Sequence, residues 1–156
     1  MARGASPSSG DSSQVQAWTV EIWEDNRGNA PYVDWMNDLS KYEQAVVTAA
    51  VRNVLQPLGM GICDTEWGKP LGDGLYEFRI RLALRAIMTW GKPADYEPPA
   101  EISDQKVLLR IFLTFHGSKI ILLFHGYDKG KDPSERRQQK EIKKARKALA
   151  SWKGQR

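Results

Sequence analysis

Arginines that share a sheet face, as Arg79, Arg81 and Arg110 of this 156-residue chain are expected to, are suited to chemistry on a phosphate. A guanidinium donates two parallel hydrogen bonds to phosphate oxygens, which a lysine ammonium cannot do. Positive charge fixed beside a pentavalent phosphorane typically contributes about 10²–10³ in rate per donor. Cleavage of RNA by its own 2′-hydroxyl also requires one group to remove that proton and another to protonate the leaving 5′-oxygen. His125, Tyr127 and Glu77 compete for this proton work. His125 titrates in a useful range, but its strand can equally point it into the core. Tyr127 can instead stack on a base, and Glu77 can pair with a neighbouring arginine.

The elements that must position these groups are legible as patterns. In Leu75–Leu82, Tyr76, Phe78, Ile80 and Leu82 alternate with Glu77, Arg79 and Arg81, the period of a strand with one apolar face. Val107–Phe115 and Lys119–Tyr127 flank His116-Gly117-Ser118 and predict a hairpin. Arg110 interrupts the first arm, so it must pair or open onto a wet cleft. The second arm runs into His125-Gly126-Tyr127, then a loop with Lys129 and Lys131, then a basic helix. Asp132 is the expected cap of that helix, with Pro133 in its first turn and Glu135 completing a capping box. Ile142, Ala145, Leu149 and Trp152 form its apolar stripe.

Charge is unevenly placed. From Lys129 onward there are 11 Lys/Arg against 3 Asp/Glu, while the whole chain has 23 against 19, leaving 12 against 16 before it. A polyanion, nucleic acid first, suits such a concentration; Arg81, Lys129, Lys131, Arg136 and Arg137 are the candidate RNA-binding residues. A solvated basic helix without a partner is the plainer alternative.

Upstream, residues 1–16 are small, polar and Ser-rich, and predict a disordered arm ahead of a domain over 17–156. Ala17–Trp23 alternates as a strand. A short helix is expected from about Pro31 to Leu39, burying Val33, Met36 and Leu39. Ser40–Glu43 is a capping box that opens a helix ending before Pro57. Leu58–Asp73 reads as an irregular loop, Ala83–Trp90 as a strand extension or turn, and residues 91–106 as an inserted polar loop. The expected fold is α+β: a four-stranded antiparallel sheet in the order β-α-α-β-β-β-α, with a helical pair on one face. The other face would expose Glu77, Arg79, Arg81, Arg110 and the strand end. Cys63, His116 and His125 have no metal-ligand spacing, so no metal or other cofactor is expected. A single cysteine and no long apolar run fit a cytoplasmic protein without a membrane partner. Trp90, beside the Pro-rich loop, is the tryptophan expected to meet a partner.

In the order LYEFRIR, RIFLTF, and LLFHGYDKGKDPSE running into EIKKARKAL, the chain resembles the RelE/HigB toxin superfamily, nearest its phage-derived HigB-like branch. The resemblance spans roughly Trp18–Trp152. It implies a toxin of a toxin–antitoxin system: an mRNA endoribonuclease, or mRNA interferase, acting on the ribosome without metal and neutralised by a cognate helix-turn-helix antitoxin. It implies that Arg79 is the basic residue of the second strand, Arg110 that of the third, and Lys129 or Lys131 the one after the fourth. Tyr127 falls where an aromatic ring approaches RNA. The connection from Arg81 to Val107 is longer than the family's usual hairpin. Two alternatives stand beside this reading: a catalytically silent nucleic-acid-binding module, and a phage-type protein-interaction protein.

Overall fold

A computed structural model describes residues 17–155; the expected N-terminal arm, residues 1–16, lies outside the described residues. Five strands form one sheet: β1 (Thr19–Ile22), β2 (Gly68–Gly72), β3 (Leu75–Ile80), β4 (Leu109–His116) and β5 (Ile120–Asp128), in the spatial order β1-β5-β4-β3-β2. β1 runs parallel to β5, with Thr19 beside Ile120, and the other neighbours are antiparallel. The architecture is therefore α+β, but the sheet is mixed and five-stranded, not the four-stranded antiparallel sheet expected. The added strand, β2, comes from the stretch read as an irregular loop. Its Pro70 is tolerated because β2 is the sheet's edge, where a missing backbone donor breaks no central ladder.

The helices are α1 (Pro31–Asp38), α2 (Lys41–Ala50), α3 (Gln56–Leu58), α4 (Leu84–Thr89) and α5 (Glu135–Gln155). Ser40 caps α2 in the expected box: its side chain accepts from the Glu43 N–H at 3.1 Å, and Glu43 accepts from the Ser40 N–H at 3.0 Å. In α1, Tyr32 and not Val33 is buried, and Val33 faces solvent. The helix after α2 does not stop before Pro57. A π-helical turn over Val51–Leu55 carries it into α3, with the Gln56 N–H donating to the Val51 carbonyl. The widened turn lets Pro57, which has no N–H to give, begin a new turn instead of breaking the old one. Lys41–Asp64 is long and apolar enough for a membrane span by length and composition alone. Its Val46, Val47, Ala50, Val54 and Leu55 are fully buried in the core described next.

Both faces of the sheet carry helices. Phe78, Ile80, Leu109, Ile111, Leu113, Ile121 and Leu123 pack against the α1–α2 layer. Leu75, Phe112, Leu122 and Phe124 pack under Ala145, Ala148 and Leu149 of α5. Ile142 and Trp152 border this second cluster, as the stripe predicts. Large apolar side chains each contribute about 1.5–3 kcal/mol when fully buried, so packing is a main fastening of α5. Arg146 adds hydrogen bonds to the Leu71 and Gly72 carbonyls, tying α5 to the β2–β3 turn.

One irregularity decides what reaches the site. Phe112 pairs with His125, but Leu113 pairs with Leu123, so Phe124 is an extra residue bulged out of β5. Strand alternation that places Leu122 and Phe124 under α5 would put His125 and Tyr127 on the opposite face. The bulge reverses that parity and brings both onto the face of Arg110 and Phe112. Gly126 then turns toward Trp35 of α1, and a Cβ there would lie 2.7 Å from the indole ring. No side chain fits at that position without moving the ring.

Candidate active site

β3, β4 and β5 lie side by side, with Arg79 opposite Arg110 and Arg110 opposite Tyr127. Glu77 sits one alternation along β3 on the same face. Its Oε1 receives the Arg79 Nε at 3.1 Å and stands 3.8 Å from the Arg110 Nε. Glu77 and Arg110 are only 0% and 4% exposed, so this face does not expose them as expected. Arg79 keeps about a quarter of its side chain in solvent, whereas Arg81 is exposed and pairs with Glu66 at 3.0 Å.

Tyr127 is 2% exposed, stacked 6.0 Å from Phe112 and roofed by the Arg137 guanidinium 5.2 Å above its ring. Burial and the Glu77 carboxylate push its phenol above the ordinary tyrosine range. It therefore stays a proton donor at neutral pH. The Tyr127 hydroxyl, Glu77 Oε2 and Arg110 Nε have no hydrogen-bond partner inside the protein. Buried polar atoms are nearly always satisfied, so three such atoms in neighbouring side chains set this cluster apart from the rest of the sheet.

Lys129 enters the same field from the end of β5. Burial, then Arg110, pushes its ammonium below the ordinary lysine range, with Arg79 and Lys69 adding to the repulsion. Lys69 lies opposite Glu77 on β2, and sequence reasoning missed it because Gly68, Pro70 and Gly72 disguise that strand. Lys131 and Arg136 are exposed on the approach to α5. Arg137, expected among the RNA-binding residues, is partly buried over Tyr127 instead and bonds Glu141 at 2.6 Å. The α5 cap is Ser134, whose Oγ accepts from the Arg137 N–H; Asp132 accepts from the Ser134 N–H one step earlier.

His125 is 3% exposed, beneath α5, with its Nε2 2.9 Å from Glu141 Oε1. Its Nε2 is committed to Glu141, so it holds the end of β5 to α5; the expected catalytic role gives way to a positioning one. Burial favours the neutral imidazole, so Nε2–H donates to the carboxylate. That bond and the Arg137 guanidinium hold Glu141 down at about 2 against its ordinary 4.5. Glu141 was not singled out in the sequence, where it reads as one more charge on a charged helix.

These two directions give acid sensitivity. A neutral buried imidazole lets the unfolded chain take its proton first, so stability falls as pH drops below the ordinary 6.5 of His125. The Glu141 contribution is fully present above 4.5 and is lost as pH falls toward 2. Urea unfolding should show Glu141→Gln less stable than the native chain by roughly 2 kcal/mol at neutral pH, the two converging in acid. A gap that persists unchanged in acid would mean that Glu141 acts through packing and not through its charge.

Among the described residues, no three His, Cys, Asp or Glu side chains converge as a metal-binding group. Cys63 is half-buried, and burial pushes its thiol up, away from the reactive thiolate. No family model matches this chain, and no curated protein is similar to it.

Proposed function

We propose that this chain is a metal-independent endoribonuclease of the RelE/HigB toxin type, cutting mRNA on the ribosome in the cytoplasm and held in check by a helix-turn-helix antitoxin. The observation that carries this reading is the cluster of Arg79, Arg110 and Tyr127 around Glu77, with Lys129 in the field of the two arginines. In the proposed reaction, Arg79 meets the scissile phosphate first, being the more accessible arginine, and Arg110 stands behind it to share the phosphorane charge. Lys129, whose ammonium burial and then Arg110 push below the ordinary lysine range, is the base that accepts the 2′-hydroxyl proton. Tyr127, kept protonated, donates to the leaving 5′-oxygen. Glu77 positions the two guanidiniums. Arg81, Lys131 and Arg136 hold the flanking backbone.

A catalytically silent nucleic-acid-binding module is favoured by one observation, the deep burial of Arg110 and Tyr127. The two readings separate in cells. Expression of the native chain alone should arrest translation, whereas tolerated high expression of folded protein would overturn the toxin reading. Both readings predict salt-sensitive binding, with a slope of about −0.7 per phosphate neutralised on single-stranded RNA. Replacing Lys129 and Lys131 together by alanine should flatten that slope; an unchanged slope would place the binding surface elsewhere.

A further inference from the structure

Arg79 also lines a shallow recess of about 70 Å³ that opens to solvent, bounded by Glu66, Trp67, Arg81, Leu82 and Trp90. Its floor is rigid. Trp67 is buried and stacks on Phe78 at 5.7 Å, and Trp90 meets Trp67 edge-on at 5.4 Å. Trp90 is nevertheless 39% exposed, one of the few large apolar side chains left in solvent. It closes α4, its N–H bonding the Ile87 carbonyl. The long connection beyond is pinned to α4 by Arg85, which donates to the carbonyls of Pro99, Ala100 and Ile102 and pairs with Asp104. This segment holds an aromatic ring beside an arginine of the candidate active site. At the recess, the Glu66 carboxylate and the Arg81 guanidinium pair at 3.0 Å, both well exposed.

We propose that this recess is a nucleobase subsite that selects guanine next to the phosphate met by Arg79; the proposal rests on the nucleic-acid reading above. An exposed indole is the side chain on which an unstacked base of single-stranded RNA settles. A carboxylate has two acceptor oxygens and no donor. Guanine is the one RNA base that presents two adjacent N–H donors on its Watson–Crick edge, at N1 and N2, matching those two oxygens. Adenine and cytosine place a ring lone pair against the carboxylate, and uracil offers a single N–H between two acceptors. Arg81, released from an exposed and therefore weak ion pair, is left to donate to guanine O6 or to the adjoining phosphate.

The test is equilibrium binding of guanosine, adenosine, cytidine and uridine 3′-monophosphates to the native chain, Glu66→Gln and Trp90→Leu, followed by NMR. Guanosine monophosphate should bind the native chain about tenfold more tightly than the others, the difference expected of charge-assisted hydrogen bonds. Glu66→Gln, a change at an exposed side chain, should erase that preference while leaving the fold intact. Trp90→Leu, with folding checked by circular dichroism, should weaken all four nucleotides. Equal affinities in the native chain, a preference that survives Glu66→Gln, or no binding of any nucleotide would each overturn the subsite. RNA cleavage without base preference would leave the nuclease reading standing and sink the subsite. Guanosine preference without RNA cleavage would do the reverse.

Discussion

Arg79→Ala is expected to lower RNA cleavage by about two orders of magnitude or more while the chain stays folded. Arg79 is the exposed member of the arginine pair, so its loss removes phosphate contact without emptying the core. The fold should lose only about 1–2 kcal/mol, since Glu77 keeps Arg110 nearby. Binding should fall less than cleavage, because Lys131, Arg136 and Arg81 still hold the backbone. Arg79→Lys should recover only part of the rate, as an ammonium cannot make the two parallel bonds. Arg110→Ala should add little to the catalytic loss of Arg79→Ala, because both act on one transition state. It should destabilise the chain, however, since Arg110 is buried and not in a wet cleft as its sequence context allows. Cleavage rates beside circular dichroism check each variant, and full activity in folded Arg79→Ala would remove Arg79 from the site.

The largest effect on stability is expected from Glu77→Ala. It leaves the Arg110 guanidinium buried without its carboxylate, a change that typically costs about 3–5 kcal/mol. Against the roughly 5–15 kcal/mol that holds a domain together, that loss brings the variant close to unfolding. Glu77→Gln keeps the shape and one acceptor, so it should fold. With a negative charge gone from the cluster, it should bind RNA at least as tightly at low salt and yet cleave more slowly, because the arginines lose the group that aims them. Chemical denaturation measures the first claim, and separate binding and single-turnover assays measure the second. A Glu77→Ala chain as stable as the native one would mean that Arg110 finds another partner.

Local chemistry in the sequence was enough to place most of the elements. The Ser40–Glu43 box, the alternation of Tyr76–Ile80 and the stripe of α5 each act through neighbours three or four residues apart, or two in a strand. Features that depend on distant partners were not legible. β2 has no apolar alternation and exists because Lys69 and Pro70 meet Glu77 and Tyr76 across the edge. The parallel pairing of β1 with β5 joins segments about a hundred residues apart, and periodicity does not name a partner. The bulge at Phe124 leaves no mark in composition, yet it decides which face His125 and Tyr127 occupy. Of the candidate site, Arg79, Arg110, Tyr127 and Lys129 were all singled out. The burial of Arg110 and Tyr127 was not foreseen, because nothing in a strongly basic helix says that its apolar stripe will cover the second face of the sheet. His125 was read for its titration range alone, and only Glu141 above it explains why it is a fastening.

The most direct measurement is cleavage of a translating mRNA by the purified native chain, with the ends of the products mapped. The expected cuts leave 2′,3′-cyclic phosphate ends, the product of attack by the neighbouring hydroxyl, and vanish in Arg79→Ala. RNA that binds the folded native chain and stays intact, with or without ribosomes, would contradict it.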